Sequence, residues 1–317
     1  MSHLLTLAGF LTPYFVAFAT FPLLVGRIAF PRITSFGACL LIAWSPWFIP
    51  AEFPMLRFLA SITAAMLTLK VIDVSVDLRQ RRIVTWQEYG DFLSNPFTLV
   101  RRSLANERRP SPKENFLRLL GSSSGCGVAI AVLIGLFRFD WSSLPFLVEH
   151  IAKVTALMLA VSTGLTGAAT LWRLGGGIAR DFMDRPFVAR TPAEFWRRYN
   201  RNVQQFFLQN VFNGSRNRRA PIRTMLFIFG LSALLHELVF YAAIGRVQGY
   251  QTAFFALQGL AAAATARVKV RDKLAVPWAV GTMVFNLLTS VLFFASIDSV
   301  TSFYSRGQFF CSSSKLP

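Results

Sequence analysis

Apolar residues along this chain gather in long runs, neither alternating as in half-buried strands nor spaced at three and four as on soluble helices. The runs cover residues 4–26, 35–50, 55–72, 124–137, 148–172, 225–245, 250–266 and 276–298. At about 1.5 Å per residue, roughly 20 apolar residues span a bilayer's hydrocarbon core, so each run predicts a crossing helix. Those at 35–50 and 124–137 are short, and cross only if tilted or extended by their neighbours; otherwise they are re-entrant. The expected fold is an all-α polytopic integral membrane protein with about eight transmembrane helices plus cytoplasmic interfacial helices.

Composition excludes the soluble alternative. With 54% hydrophobic and 15% charged residues and 32 phenylalanines, there is too little polar surface to cover a soluble body of this length. The net charge of +18 suggests nucleic acid until its positions are sorted. Segments 27–34, 73–123, 173–224 and 267–275 hold 2, 9, 11 and 4 of the 33 Lys and Arg, and the loops between them hold few. By the positive-inside rule these segments are cytoplasmic, both termini are outside, and the number of crossings is even. The basic surplus then answers topology and anionic membrane lipids, and no nucleic-acid partner is expected. The layout is a single membrane-embedded domain over 1–317. Its parts are N-terminal helices in 1–72, basic cytoplasmic segments at 73–123 and 173–224, and C-terminal helices in 225–298.

Several features predict little chemistry. Ala17-Phe18-Ala19 mimics a signal-peptidase site, yet no Lys or Arg precedes the apolar stretch, so the first helix is expected to be retained. Cys39, Cys126 and Cys311 lack metal spacing, and three histidines make no multi-histidine site, so no metal is expected. Gly121-Ser122-Ser123-Ser124-Gly125 satisfies the nucleophile-elbow pattern, but no strand precedes it, and it reads as a linker. Glu149-His150 reads as a helix-end pair at the outer surface.

The second basic segment is more telling. Thr191-Pro192-Ala193-Glu194 is a capping box with proline at the first helical position, which predicts a helix start. Phe195, Trp196, Tyr199, Val203, Phe206, Phe207 and Val211 then recur at three- and four-residue steps, opposite Arg197, Arg198, Arg201 and Gln205. Such a helix lies in the interface or on the bundle. Asn200 falls on its apolar stripe, where an amide is expensive without a partner. Two readings stay open: a functional amide, or a structural bond to a neighbouring loop.

In the run 225–245 stand His236 and Glu237. Ionisable groups at membrane depth are costly and are a hypothesis about function by default; the plainer alternative is a histidine that packs one helix on another. Glu237 points about 100° away from His236, so it pairs with a basic group elsewhere or stays protonated. Ser232, one turn before, bonds either the imidazole or its own helix backbone.

The stretch from Arg185 to Asn200, with Pro192-Ala193-Glu194-Phe195-Trp196-Arg197-Arg198-Tyr199-Asn200 at its end, is followed by Ser232-Ala233-Leu234-Leu235-His236-Glu237. These two blocks in this order resemble the wax synthase branch of the membrane-bound O-acyltransferase superfamily, over about residues 180–245. The resemblance implies transfer of an acyl group from acyl-CoA to the hydroxyl of a lipophilic alcohol. His236 and Asn200 match the catalytic positions, and acyl-CoA is a co-substrate rather than a bound cofactor. A neutral imidazole suits removal of a hydroxyl proton near neutral pH, and an amide suits a developing oxyanion. Arg197, Arg198 and Arg201, with Trp196 among them, are candidate contacts for acyl-CoA; interfacial snorkelling explains the same arginines. Arg216-Asn217-Arg218-Arg219 reads as an anchor at anionic lipid. The alternative function is a proton-linked lipid or small-molecule transporter using His236 and Glu237, although no pair of broken spans in matched halves supports it.

Overall fold

The computed structural model describes residues 2–25, 31–79, 83–102, 110–212 and 220–305. Arg81-Arg82, Arg108-Arg109, Arg216-Asn217-Arg218-Arg219 and Cys311 lie outside them. The helices in chain order are α1 (Ser2–Val25), α2 (Pro31–Trp44, continued by a 3-10 turn over Ser45–Phe48), α3 (Pro54–Arg79), α4 (Trp86–Ser94), α5 (Pro112–Arg138) and α6 (Phe146–Leu174). There follow α7 (Pro192–Arg198), α8 (Arg201–Phe207, continued by a π-helical turn over Leu208–Phe212), α9 (Pro221–Ile244), α10 (Tyr250–Thr265) and α11 (Ala275–Thr301). No strand occurs among the described residues.

Six of these helices, α1, α3, α5, α6, α9 and α11, are long and apolar enough to cross a membrane, which makes this a polytopic integral membrane protein. The other two apolar runs form shorter helices, Ile33–Phe48 and the 16-residue α10. The run at 124–137 is longer than expected. Its helix starts at Pro112, where the Ser111 side chain accepts the Glu114 N–H at 3.2 Å. Gly121–Gly125 is therefore no linker but the middle of α5. Its small residues let α6 approach closely: a Cβ on Gly164 would stand 3.3 Å from Cys126 Sγ, and one on Gly167 3.2 Å from Ser122 Oγ.

The chain divides into two compact units. The first comprises residues 1–105 and 202–252. Its core joins Phe21 and Leu24 of α1, Ile42 of α2, Leu67 and Val71 of α3, and Tyr89 and Phe92 of α4. The amphipathic α4, with a capping box of Thr85 and Glu88, is a short helix within segment 73–123 whose apolar side joins this core. Lys70 is fully buried, and its ammonium donates to the carbonyls of Phe92, Leu93 and Asn95, so the charge closes the last turn of α4.

Asp73 and Asp77, both buried, gather Arg101, Arg102 and Asn210 around the end of α3. Asp73 Oδ1 accepts from Arg102 Nη2 at 2.8 Å and from Asn210 Nδ2 at 2.9 Å. Two arginines of the basic segment are thus bound inside the protein, and the π-helical turn that carries Asn210 is fastened to α3.

The second unit comprises residues 106–201 and 253–317. Its core includes Val154 of α6, Phe294 of α11, Phe303 and Tyr304. Glu149 and His150 do stand at a helix end, at the start of α6, but both are buried. His150 Nε2 donates to the Leu287 carbonyl at 2.9 Å, so Nδ1 accepts from the Tyr304 hydroxyl. Glu149 pairs with the equally buried Lys153 at 2.6 Å and accepts the Ser305 N–H and hydroxyl. Buried charges persist only when paired and hydrogen-bonded, and this cluster pins residues 303–305 to α6.

Candidate active site

Helix α9 carries His236. It starts at Pro221 and ends at Gly245, whose φ of 75° is the left-handed stop that glycine adopts at low cost. Phe240 stacks on Phe58 of α3 at 5.0 Å, Tyr241 meets Trp47 at 5.8 Å, and Ile228, Leu231 and Leu235 pack beside Phe206 and Phe207. Contacts on several sides fix the rotation of the helix and with it the direction of the imidazole.

His236 Nδ1 lies 2.8 Å from the carbonyl oxygen of Ser232. A carbonyl only accepts, so Nδ1 bears the proton and Nε2 keeps the basic lone pair. The partner of Nδ1 is the Ser232 main-chain carbonyl and not its hydroxyl, to which the expectation referred.

Glu237 takes main-chain and hydroxyl donors in place of the basic partner expected of it. Its Oε1 accepts the N–H groups of Gln248 at 2.8 Å and Gly249 at 2.6 Å, and its Oε2 accepts the N–H and hydroxyl of Thr252 at 3.3 Å. The carboxylate thus caps the N-terminus of α10, where unpaired N–H groups and the helix dipole favour an anion.

The upstream block starts as expected. Thr191 caps α7 by accepting the Glu194 N–H at 3.1 Å, with Pro192 at the first helical position. Glu194 reaches back one residue further than a standard box, accepting the Arg190 N–H at 2.8 Å, and pairs with Arg198. Burial alone would raise the Glu194 pKa; the Arg190 N–H and the Arg198 and Arg197 guanidinia overcome this and hold it below the usual carboxylate range.

The helix does not continue through Val211. It stops at Arg198, Tyr199 is extended, and Asn200 sits in the left-handed region at φ 43° before α8 begins. The segment before α7 takes up the backbone at the break: Arg201 N–H donates to Phe182 O, and Asp184 N–H to Arg198 O, both at 2.9 Å. Asparagine tolerates this conformation better than most residues. Asn200 therefore occupies the turn between two short helices rather than an apolar stripe, and is half-buried there.

Trp196 is held by a hydrogen bond and by aromatic neighbours. Its indole N–H donates to Gln258 Oε1 at 2.9 Å, Gln258 Nε2 donates to Thr289 Oγ1 at 2.8 Å, and Tyr199, Phe254 and Phe255 surround the ring. This relay joins α7, α10 and α11 within the second unit. Arg197 is exposed, Arg198 is engaged by Glu194, and Arg201 is half-buried at the start of α8. Trp196, Arg197, Arg198, Asn200 and Arg201 belong to the second unit and His236 to the first.

Gln258 and Thr289 escaped the sequence reading, as did Lys70, Asp73 and Lys153. The signal that singled out His236, a polar residue inside an apolar run, applies equally to all of them but Asp73, which stands just past the run 55–72.

Among the described residues, no group of three or more His, Cys, Asp or Glu could hold a metal ion. No curated protein matches the chain. The model of the membrane-bound O-acyltransferase family matches residues 139–297, a stretch that contains α6, the Phe195–Asn200 block, His236, Gln258 and nearly all of α11. The transporter alternative is not favoured by that match; this chain belongs to the membrane-bound O-acyltransferase family.

Proposed function

We propose that this membrane acyltransferase moves an acyl group from acyl-CoA to the hydroxyl of a lipophilic alcohol, in the manner of the wax synthase-like branch, with His236 as the general base. The observation that carries this reading is the tautomer of His236. With Nδ1–H bound to Ser232 O, Nε2 is the nitrogen that accepts a proton. As Nε2 takes the hydroxyl proton, the alcohol oxygen attacks the thioester carbonyl. The tetrahedral intermediate then collapses, the C–S bond breaks, and the imidazolium returns its proton to the departing coenzyme A thiolate. No acyl-enzyme forms.

Asn200 is assigned to the oxyanion, a place where a preorganised amide donor contributes about 3–4 kcal/mol in other enzymes. Arg197, Arg198 and Arg201 are assigned to the phosphates of acyl-CoA, which enters from the cytosol as co-substrate, and Trp196 to the positioning of the segment that carries them. The basic segments face the cytoplasm and anionic lipid, with both termini outside.

The test is thiol release from acyl-CoAs of acetyl to palmitoyl length, with mixed alcohol acceptors, in membranes carrying the wild type or His236→Ala. Alcohol-dependent release that falls by about 10²-fold or more in the variant supports the reading. Equal release from both, or none with any pair, sinks it.

A further inference from the structure

Four polar side chains and one phenylalanine of α11 lie along one stripe. Thr282, Asn286, Thr289, Ser290 and Phe293 follow one another at the three- and four-residue steps of a single helical face. Thr282 donates to Arg190 O at 3.1 Å. Thr289 accepts from Gln258 at 2.8 Å, and the Ser290 hydroxyl receives His150 Nε2 at 3.0 Å. Phe293 packs on Phe254 with ring centroids 5.4 Å apart. The whole stripe is thus turned into the second unit.

Asn286 sits in the middle of it, and neither its Nδ2 nor its Oδ1 has a partner, although both atoms are sealed from the surroundings. Its neighbours on the stripe use their polar atoms to join α11 to the rest of the unit; Asn286 joins nothing. An unsatisfied buried donor or acceptor costs about 1–3 kcal/mol, and a leucine of the same branched shape would avoid that. At membrane depth an amide kept at such a cost is kept for a ligand.

We propose that Asn286 binds the hydroxyl of the acceptor alcohol. This inference rests on the acyltransferase reading above and names the side chain that receives its second substrate. The chemistry of the amide selects among the candidate ligands. It presents a donor and an acceptor together, and in the bound ground state a hydroxyl matches both, accepting from Nδ2–H and donating to Oδ1; when His236 Nε2 takes the proton, the alcohol oxygen keeps the Nδ2–H bond. A thioester carbonyl or a phosphate oxygen only accepts, and would leave Oδ1 orphaned. An alkyl chain satisfies neither atom.

The experiment uses the purified full-length protein, wild type and Asn286→Leu. Thermal unfolding is followed with 1-octanol, 1-dodecanol or 1-hexadecanol, each beside the n-alkane of the same length, and KM is measured for alcohol and acyl-CoA. The wild type is expected to be stabilised by at least one alcohol and by none of the alkanes. Asn286→Leu, freed of an orphan amide, should unfold at or above the wild-type temperature, lose the alcohol's stabilisation and show about a tenfold higher alcohol KM. Its KM for acyl-CoA should stay within about twofold.

Three results would overturn the proposal: alcohol stabilisation equal in both proteins, none in either, or a leucine variant several degrees less stable, which would make the amide structural. Unchanged KM values in an active variant sink this inference alone. A wild type that binds alcohol but releases no thiol from any acyl-CoA sinks the transferase reading, and this substrate assignment with it.

Discussion

His236 and Glu237 are adjacent in the chain and opposite in task. The imidazole donates from Nδ1 to its own helix and offers Nε2; the carboxylate turns to the next helix and collects four hydrogen bonds. His236→Asn separates shape from basicity, because the amide Nδ2 can take over the bond to Ser232 O while no basic nitrogen remains. That variant should unfold within a few degrees of the wild type and lose about 10²-fold or more of alcohol-dependent thiol release. Glu237→Ala strands the N–H groups that begin α10, and should destabilise by about 2–3 kcal/mol, read as a lower unfolding temperature, with Glu237→Gln losing less. An alanine variant as stable as wild type yet inactive would instead make Glu237 a proton-transfer group. His236 was legible because a lone histidine stands out in an apolar run; the task of Glu237 was not, because its partners come from a loop whose path no periodicity reveals.

The break between α7 and α8 shows the same divide between local and distant causes. Thr191 to Glu194 announced the start of α7, since a cap is made by residues a few positions apart. The stop at Arg198 depends on Phe182 and Asp184, more than a dozen residues upstream, and the apolar spacing runs on as though the helix were whole. The left-handed Asn200 invites a paired substitution. Asn200→Gly keeps the turn and removes the amide, whereas Asn200→Ala removes the amide and strains the turn by about 1 kcal/mol. If the amide serves the oxyanion, thiol release falls by about 10²-fold in both and only the alanine variant loses stability. Activity preserved in the glycine variant would reduce Asn200 to a backbone role. At the other end of α7, the depressed pKa of Glu194 means that its contribution is complete above the ordinary value of 4.5 and is lost as pH falls through its lower native value. Glu194→Gln should therefore be less stable than wild type at neutral pH, with the gap closing at pH values progressively below 4.5. A gap that does not narrow would assign the stability to shape alone.

Across the whole molecule, helix length and charge distribution make different counts of the crossings. Length alone selects six helices, because α10 has 16 residues and the apolar stretch through α2 ends within Ile33–Phe48. The charge distribution favours eight. If α2 and α10 did not cross, segments 73–123 and 173–224 would face one side while 27–34 and 267–275 faced the other, dividing the basic residues against the positive-inside rule. If both cross, all four segments share the cytoplasmic face. Sixteen residues rise about 24 Å against a core of about 30 Å, a mismatch that local thinning and flanking residues accommodate at modest cost. Whether α10 crosses is decided by one pair of exposed positions, Ser143 in the turn between α5 and α6 and Lys269 in the turn between α10 and α11. With the native cysteines replaced, a membrane-impermeant thiol reagent on intact cells should label Ser143→Cys at once and Lys269→Cys only after permeabilisation. Between those positions α6 and α9 cross, and α10 alone decides the parity. Labelling of both from the same side would mean that α10 stays within one leaflet and that the basic turn after it faces outward.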